Sequence, residues 1–299
     1  MKLPHPIPYQ GSKRNLAPKI LNLIQGKRFA TIYEPFAGSA AFTIAAASQK
    51  IANKFVISDS LAPLMEIWQQ VVDNPKSLAD LYEQIWKGQN HGGEDYFFEI
   101  REEFNSSSNP AKLLYLLARC VKNAPRFNSA GKFNQSHDKR RLGMRPEKMR
   151  HEIFGVNKIF SGKVAIATGD FESISLAATR DDLVYMDPPW EGTSGAKDRR
   201  YFEGLSRERL IEVITKLNDK GVPLLLSYDG MCGEKTYGEM LPASLGLKHV
   251  YLDAGRSSQA TLVGRDETTL ESLYYSNSLA EAEPAVSLST LWGDTGTIL

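Results

Sequence analysis

Six short apolar runs recur along the chain, and four of them end on an acid. Residues 31–34, 55–59, 163–170 and 182–187 run into Glu34, Asp59, Asp170 and Asp187; residues 222–227 and 249–252 complete the set. Runs of this length, rich in β-branched and aromatic residues, read as buried strands. Between them lie stretches with helical spacing, such as Leu210, Ile211, Ile214 and Leu217. Strands alternating with helices imply an α/β chain with a Rossmann-like, mainly parallel sheet flanked by helices. In such sheets ligands gather at the carboxyl ends of the strands, where these acids fall.

The alternation breaks between about residues 61 and 155. Helix formers take over, with amphipathic sets at Leu64, Ile67, Trp68 and Val71 and at Leu113, Leu114 and Leu117. The expected organisation is a catalytic domain at 1–60 and 161–276, split by a helical insertion at 61–160. Residues 277–299, rich in Ser, Ala and Glu, are expected to be loosely ordered.

Charge localises the insertion's role. The chain carries a net charge of only +1. Residues 112–150, however, hold eleven Lys and Arg against Asp138 and Glu147, a local net of +9, leaving −8 for the rest. A polyanion needs a basic patch rather than a basic protein, because counterions are released locally. Arg126, Asn128 and Asn134 lie among these cations with Lys139, Arg140 and Arg141. Two distant cysteines and five scattered histidines offer no metal-ligand spacing, so no metal or disulfide is expected. No run of eighteen apolar residues exists, and residues 1–6 lack a signal-peptide core. A cytoplasmic protein is the expectation.

Two motifs carry chemistry. Residues 33–40, Tyr-Glu-Pro-Phe-Ala-Gly-Ser-Ala, run from a strand through a small-residue turn into an apolar helix. Gly38 lets backbone approach a ligand, but the G-x-G-x-x-G dinucleotide fingerprint is absent. An acid at Glu34 suits a cationic ligand, and S-adenosylmethionine carries both an ammonium and a sulfonium. Asp59, closing the next strand, is placed to bind ribose hydroxyls. The second motif is Asp187-Pro188-Pro189-Trp190, directly after an apolar strand. Two prolines stiffen the backbone and remove two N–H donors, leaving a carboxylate, carbonyl acceptors and an aromatic ring. Acceptors on both N–H bonds of an aromatic amine localise its lone pair and stabilise the charge that develops on methylation. The indole can stack on the base.

Together these motifs resemble the Dam-type (class alpha) N6-adenine DNA methyltransferases, in order over most of residues 7–276. Residues 8–13, with Tyr9 and Lys13, are similar to the family's N-terminal cofactor segment. Residues 34–39, with Phe36, Gly38 and Ser39, resemble its glycine loop. Residues 126–134 are similar to the R-x-N-x-x-G-x-F-N stretch of its DNA-recognition region. Asp170 and Phe171 resemble the segment contacting the cofactor's adenine ring, and 187–190 the catalytic tetrad. The resemblance implies transfer of a methyl group from S-adenosylmethionine to a flipped adenine in double-stranded DNA, with S-adenosylhomocysteine as product. A cognate restriction endonuclease is a candidate partner.

Trp190 replaces the family's usual tyrosine, and residues 135–141 depart from its usual continuation, so a GATC target is not implied. Lys13 can pair with the cofactor's carboxylate or with DNA phosphate. Tyr201 and Phe202, after Arg199 and Arg200, can close over a flipped base or pack in the core. The alternatives are an amino-methyltransferase acting on cytosine N4 or on RNA adenine, and an inactive DNA-binding protein of the same fold.

Overall fold

The computed structural model describes residues 2–93, 95–189, 205–232, 235–237, 239–256 and 268–280. In chain order the first half comprises α1 (Ala17–Asn22), β1 (Phe29–Glu34), α2 (Ala41–Ser48), β2 (Ala52–Asp59), α3 (Ala62–Asp73), α4 (Pro75–Gly88), α5 (Tyr96–Ser107) and α6 (Pro110–Arg119). The second half comprises α7 (Pro146–Phe160), β3 (Val164–Thr168), α8 (Phe171–Leu176), β4 (Leu183–Met186), α9 (Arg207–Asp219), β5 (Leu224–Cys232), β6 (Lys235–Tyr237), β7 (Lys248–Arg256) and β8 (Thr268–Tyr275).

The sheet runs β3-β2-β1-β4-β5-β8-β7, with β6 paired to β5. β3, β2, β1, β4 and β5 are mutually parallel, and β8 and β7 close the sheet antiparallel. The fold is therefore the expected mainly parallel, helix-flanked sheet of a Rossmann-like methyltransferase. From β1 the order proceeds outward in both directions, so the β1/β4 boundary is the switch point where a crevice opens. Glu34 and Asp187 sit at the carboxyl ends of those two strands.

Two cores explain the layering. On one face Ile32, Phe55, Ile57, Tyr185, Leu225 and Leu273 pack with α1, α2 and the helices of residues 62–160. On the other face Val184, Met186, Leu224 and Leu226 pack with α8 and α9. Buried on both sides, β4 (Leu-Val-Tyr-Met) has to be apolar throughout. Of the helical stretch, α3 lies against β2 and β3, and α7 against α2 and α3, whereas α4, α5 and α6 pack chiefly on one another and on α3 and α7. The elements remote from the sheet are thus those between α3 and α7.

β8, which inserts between β5 and β7, is not among the six runs read from the sequence. Its buried positions include Ser272, and Glu271 faces the site, so two polar residues interrupt the apolar run. Of residues 277–299, Asn277–Leu279 form a single 3-10 turn with Leu279 buried; residues 281–299 lie outside the described set. Among the described residues, no helix is long and apolar enough to cross a membrane.

Candidate active site

The glycine turn is built by interlocking backbone contacts. Gly38 has φ +47°, and a Cβ there would stand 3.2 Å from the Tyr9 ring, so both conformation and space call for glycine. Its N–H donates to Asp59 Oδ2 (3.1 Å), and its carbonyl accepts from Trp68 Nε1 of α3 (3.0 Å). Asp59 Oδ1 accepts from Leu61 N at 3.0 Å. Burial raises the Asp59 pKa, against these backbone N–H groups, which lower it. Ser12 Oγ and Ser39 Oγ lie 2.7 Å apart, joining the N-terminal segment to the turn.

Glu34 is turned inward. It is 3% exposed, and its Oε2 accepts from Thr43 N in α2 at 2.9 Å. Burial pushes its pKa up to about 8, against the hydrogen bonds from Thr43 and with the help of nearby Asp187. Through this bond its carboxyl ties the end of β1 to the start of α2 behind the turn.

Asp187 is the charged centre. Lys13 Nζ lies 3.0 Å from Asp187 Oδ1 and 3.2 Å from Glu271 Oε2, with side-chain exposures of 8%, 19% and 16%. A single cation is thus shared by two carboxylates in a largely water-free place. Burial alone would lower the Lys13 pKa, but the two acids outweigh it and hold the ammonium well above its usual range. Burial raises Asp187 to about 6; Lys13 opposes this shift and Glu271 adds to it. Beneath lies Tyr185, whose ring stacks on Phe42 (4.1 Å) and whose hydroxyl shares a hydrogen bond with Ser227 (3.1 Å). Pro188 is buried and Pro189 partly so. Trp190 lies outside the described residues, as do Arg199, Arg200, Tyr201 and Phe202.

At the next strand end, Phe36 and Phe171 stack at 5.1 Å, and the Arg209 guanidinium sits 5.0 Å over Phe171. Asp170 caps α8 by accepting from Glu172 N, and Arg209 grips both its oxygens at 2.5 and 3.0 Å. The cofactor candidates therefore fall into one crevice wall: Tyr9, Gly38, Ser39 and Asp59 around the turn, Phe36 with Asp170 and Phe171 beside it. Lys13 instead joins Asp187.

The basic stretch forms a separate surface. Phe127 and Phe133 bridge as a short antiparallel pair, with Asn134 N donating to Arg126 O and Asn128 N to Lys132 O, each at 2.9 Å. Both rings pack edge-on against Phe104, and Asn105 holds the Phe133 backbone through both its N–H (2.8 Å) and its carbonyl (3.1 Å). Arg126, Lys132 and Asn134 are exposed on this anchored hairpin. Asn128 Oδ1 is engaged within the turn, accepting from Ala130 N and Lys132 N at 3.0 Å. Lys139, Arg140 and Arg141 are exposed, and both arginines contact Asp138.

The residues that sequence reasoning missed are Ser12, Trp68 in its role on Gly38, Tyr185, Ser227 and Glu271. For Glu271 a signal exists, an acid inside the apolar alternation of residues 270–275, but only strand pairing reveals where it points. Among the described residues no three His, Cys, Asp or Glu side chains group as a metal site.

A glycine turn and an Asp-Pro-Pro turn facing each other across the switch point of a mainly parallel sheet define the methyltransferase class. The D12 class N6 adenine-specific DNA methyltransferases match residues 9–262, and the chain belongs to that family. It is 28% identical over 232 residues to the Type II methyltransferase M1.LlaDCHI of Lactococcus lactis subsp. cremoris, covering 73% of this chain and 78% of that one. It is 24% identical to the DNA N-6-adenine-methyltransferase of Escherichia phage P1 over 74% of this chain and 29% of that one. It is 27% identical to the modification methylase StsI of Streptococcus sanguinis, over 74% of this chain and 35% of that one. The chain thus spans about a third of the length of these last two. DNA adenine-N6 methylation is the activity the family assigns to the chain, with a methyl donor and DNA as its substrates.

Proposed function

We propose that the switch-point crevice binds S-adenosylmethionine beside a flipped adenine, and that Asp187 with the Pro188 carbonyl holds the adenine amine for direct methyl transfer. The observation that carries this reading is the Asp187 carboxylate at the carboxyl end of β4, sharing Lys13 with Glu271, its pKa raised by burial to about 6 against the pull of Lys13. At neutral pH this aspartate is mostly ionised and ready to accept an N–H.

The residues fit the cofactor by donor type. Asp59 is partly exposed and ends β2, where a carboxylate can accept from ribose hydroxyls. Phe36 and Phe171 offer aromatic faces for its adenine, with Asp170 at their edge. Tyr9, Gly38 and Ser39 shape the turn, behind which Glu34 braces α2. S-adenosylmethionine supplies a methyl group made electrophilic by its sulfonium. Asp187 and the Pro188 carbonyl accept the two N–H bonds of N6, localising its lone pair. As the N–C bond forms and the S–C bond breaks, positive charge grows on N6, and the Asp187 carboxylate stabilises it. The proton leaves afterwards, to Asp187 or to water. Pro189 stiffens the turn, and Trp190 is assigned to stack on the base.

DNA would be held by the hairpin residues Arg126, Asn128 and Asn134 and by Lys139, Arg140 and Arg141. Extrusion of the base is required because the amine is inaccessible to in-line attack within the stack. The segment 61–160 is assigned to recognition, and a cognate restriction endonuclease is the proposed biological partner. The decisive test is nucleoside mass spectrometry of DNA treated with the wild type and with Asp187→Asn. N6-methyladenine should appear with the wild type and fall by about a hundredfold or more in the variant, while S-adenosylhomocysteine binding by calorimetry persists. Methylated cytosine, or full activity in the variant, would refute the assignment.

A further inference from the structure

Asp138 is an acid where acids are least expected. It lies inside the +9 stretch, yet its side chain is only 5% exposed and two arginines converge on it. Arg140 binds side-on, Nε to Oδ1 at 3.0 Å and Nη2 to Oδ2 at 3.1 Å. Arg141 Nε lies 3.3 Å from Oδ2, and its Nη1 donates to Asn123 Oδ1 at 3.1 Å. Arg140 N also donates to Asp138 Oδ1 (3.1 Å), closing a tight turn, and Asp138 N donates to Arg119 O at the end of α6 (2.8 Å). The carboxylate is thus fixed by the backbone, and the guanidiniums are fixed by the carboxylate.

The same group is tied to the cofactor side. Asn123 has φ +52°, its Nδ2 donates to Leu117 O (2.8 Å), and its carbonyl accepts from Gln10 N (3.0 Å). Gln10 lies between Tyr9 and the Ser12-Lys13 pair of the crevice wall. A rigid path of hydrogen bonds therefore runs from Arg141 to the N-terminal cofactor segment.

We propose that Asp138 is a positioning residue that holds Arg140 and Arg141 as one fixed cationic fork, which grips backbone phosphates of duplex DNA and sets their place relative to the crevice. This rests on the DNA-methylating reading above. Judged by charge alone, an acid here weakens binding to a polyanion. What it supplies is immobilisation: two rotamer-rich side chains are ordered before DNA arrives, so that cost is not met on binding. The Nε/Nη2 edge of Arg140 is occupied, which leaves its Nη1 group for phosphate oxygens.

The two effects have opposite signs, and Asp138→Asn separates them. Asparagine keeps an oxygen for the turn but loses the ion pairs and adds one unit of positive charge. Fluorescence anisotropy with a duplex of arbitrary sequence, at several salt concentrations, reads the outcome. Immobilisation predicts affinity weaker by about fivefold or more at fixed salt, with an unchanged melting midpoint. The loss should vanish in the Arg140→Gln/Arg141→Gln background, where no fork remains to be held. Tighter or equal binding by Asp138→Asn overturns the proposal and leaves the DNA reading standing. An equal loss in the double-Gln background also overturns it, because the effect would then be a general loss of structure. If the wild-type protein does not bind duplex DNA, the functional reading fails and the fork with it.

Discussion

Two charged centres among the described residues, one in the crevice and one on the basic surface, are inverted copies of each other. In the crevice one cation, Lys13, is shared by two acids, Asp187 and Glu271, with all three side chains less than a fifth exposed. On the basic surface one acid, Asp138, is shared by two cations whose side chains are 79% and 49% exposed. The local excess is negative in the first and positive in the second, the signs required by the proposed cationic transition state and polyanionic substrate respectively. Their energetics differ because solvent differs. In the crevice, burial raises Asp187 to about 6, and poor screening lets Lys13 oppose that shift and Glu271 add to it. On the surface, water screens the pairs and lowers their worth to stability, so the geometry they impose is their main product.

The largest effect should come from breaking the buried centre. Lys13→Met leaves two carboxylates without a cation, and removing one partner of a buried pair costs about 3 kcal/mol or more. Urea unfolding should show that loss, together with near-complete loss of methyl transfer. A variant as stable as the wild type would mean that the crevice is wetter than its geometry implies.

A smaller effect, in pH rather than stability, should follow from Glu271→Gln. With the wild type, methyl transfer should fall as pH drops through about 6, where Asp187 takes up a proton and loses its acceptor. The Glu271 charge helps to raise that pKa, so its removal should move the acid limb of the kcat/KM profile to lower pH. A shift to higher pH would show that Glu271 acts on Asp187 through Lys13 placement rather than through its charge.

The smallest effect on the fold belongs to the surface centre. Arg140→Gln/Arg141→Gln should leave the thermal midpoint unchanged while flattening the dependence of DNA affinity on salt. The log–log slope should fall by up to about 0.9 for each phosphate that the variant no longer neutralises. A clear fall in the midpoint would erase the contrast between the two centres and make Asp138 part of the scaffold.

Much of the architecture was legible in the chain. β4 is apolar at every position because both of its faces are buried, and the alternation of such runs with helical spacing specifies a parallel sheet. The turn at Gly38 and the Asp-Pro-Pro at 187–189 were legible because rigid or permissive backbone residues leave a local mark. β8 was not, because its Glu271 and Ser272 point to inward positions that only pairing with β5 and β7 creates. The roles of Glu34 and Asn128 were likewise hidden: each is a polar residue in a motif whose side chain holds neighbouring backbone.

What the sequence determined by itself is the order of elements, the strand ends that carry acids, the local +9 field and the motifs that place the chain in its family. These depend on periodicity, on composition within a short window and on residues whose backbone preferences act locally. Only the tertiary structure decided which acid meets which cation. Lys13, Asp187 and Glu271 come from three distant parts of the chain, and their meeting depends on β4, β5 and β8 lying side by side. It also decided which acids stay ionised, because a pKa is set by burial and neighbouring charge, and neither exists until the chain has folded.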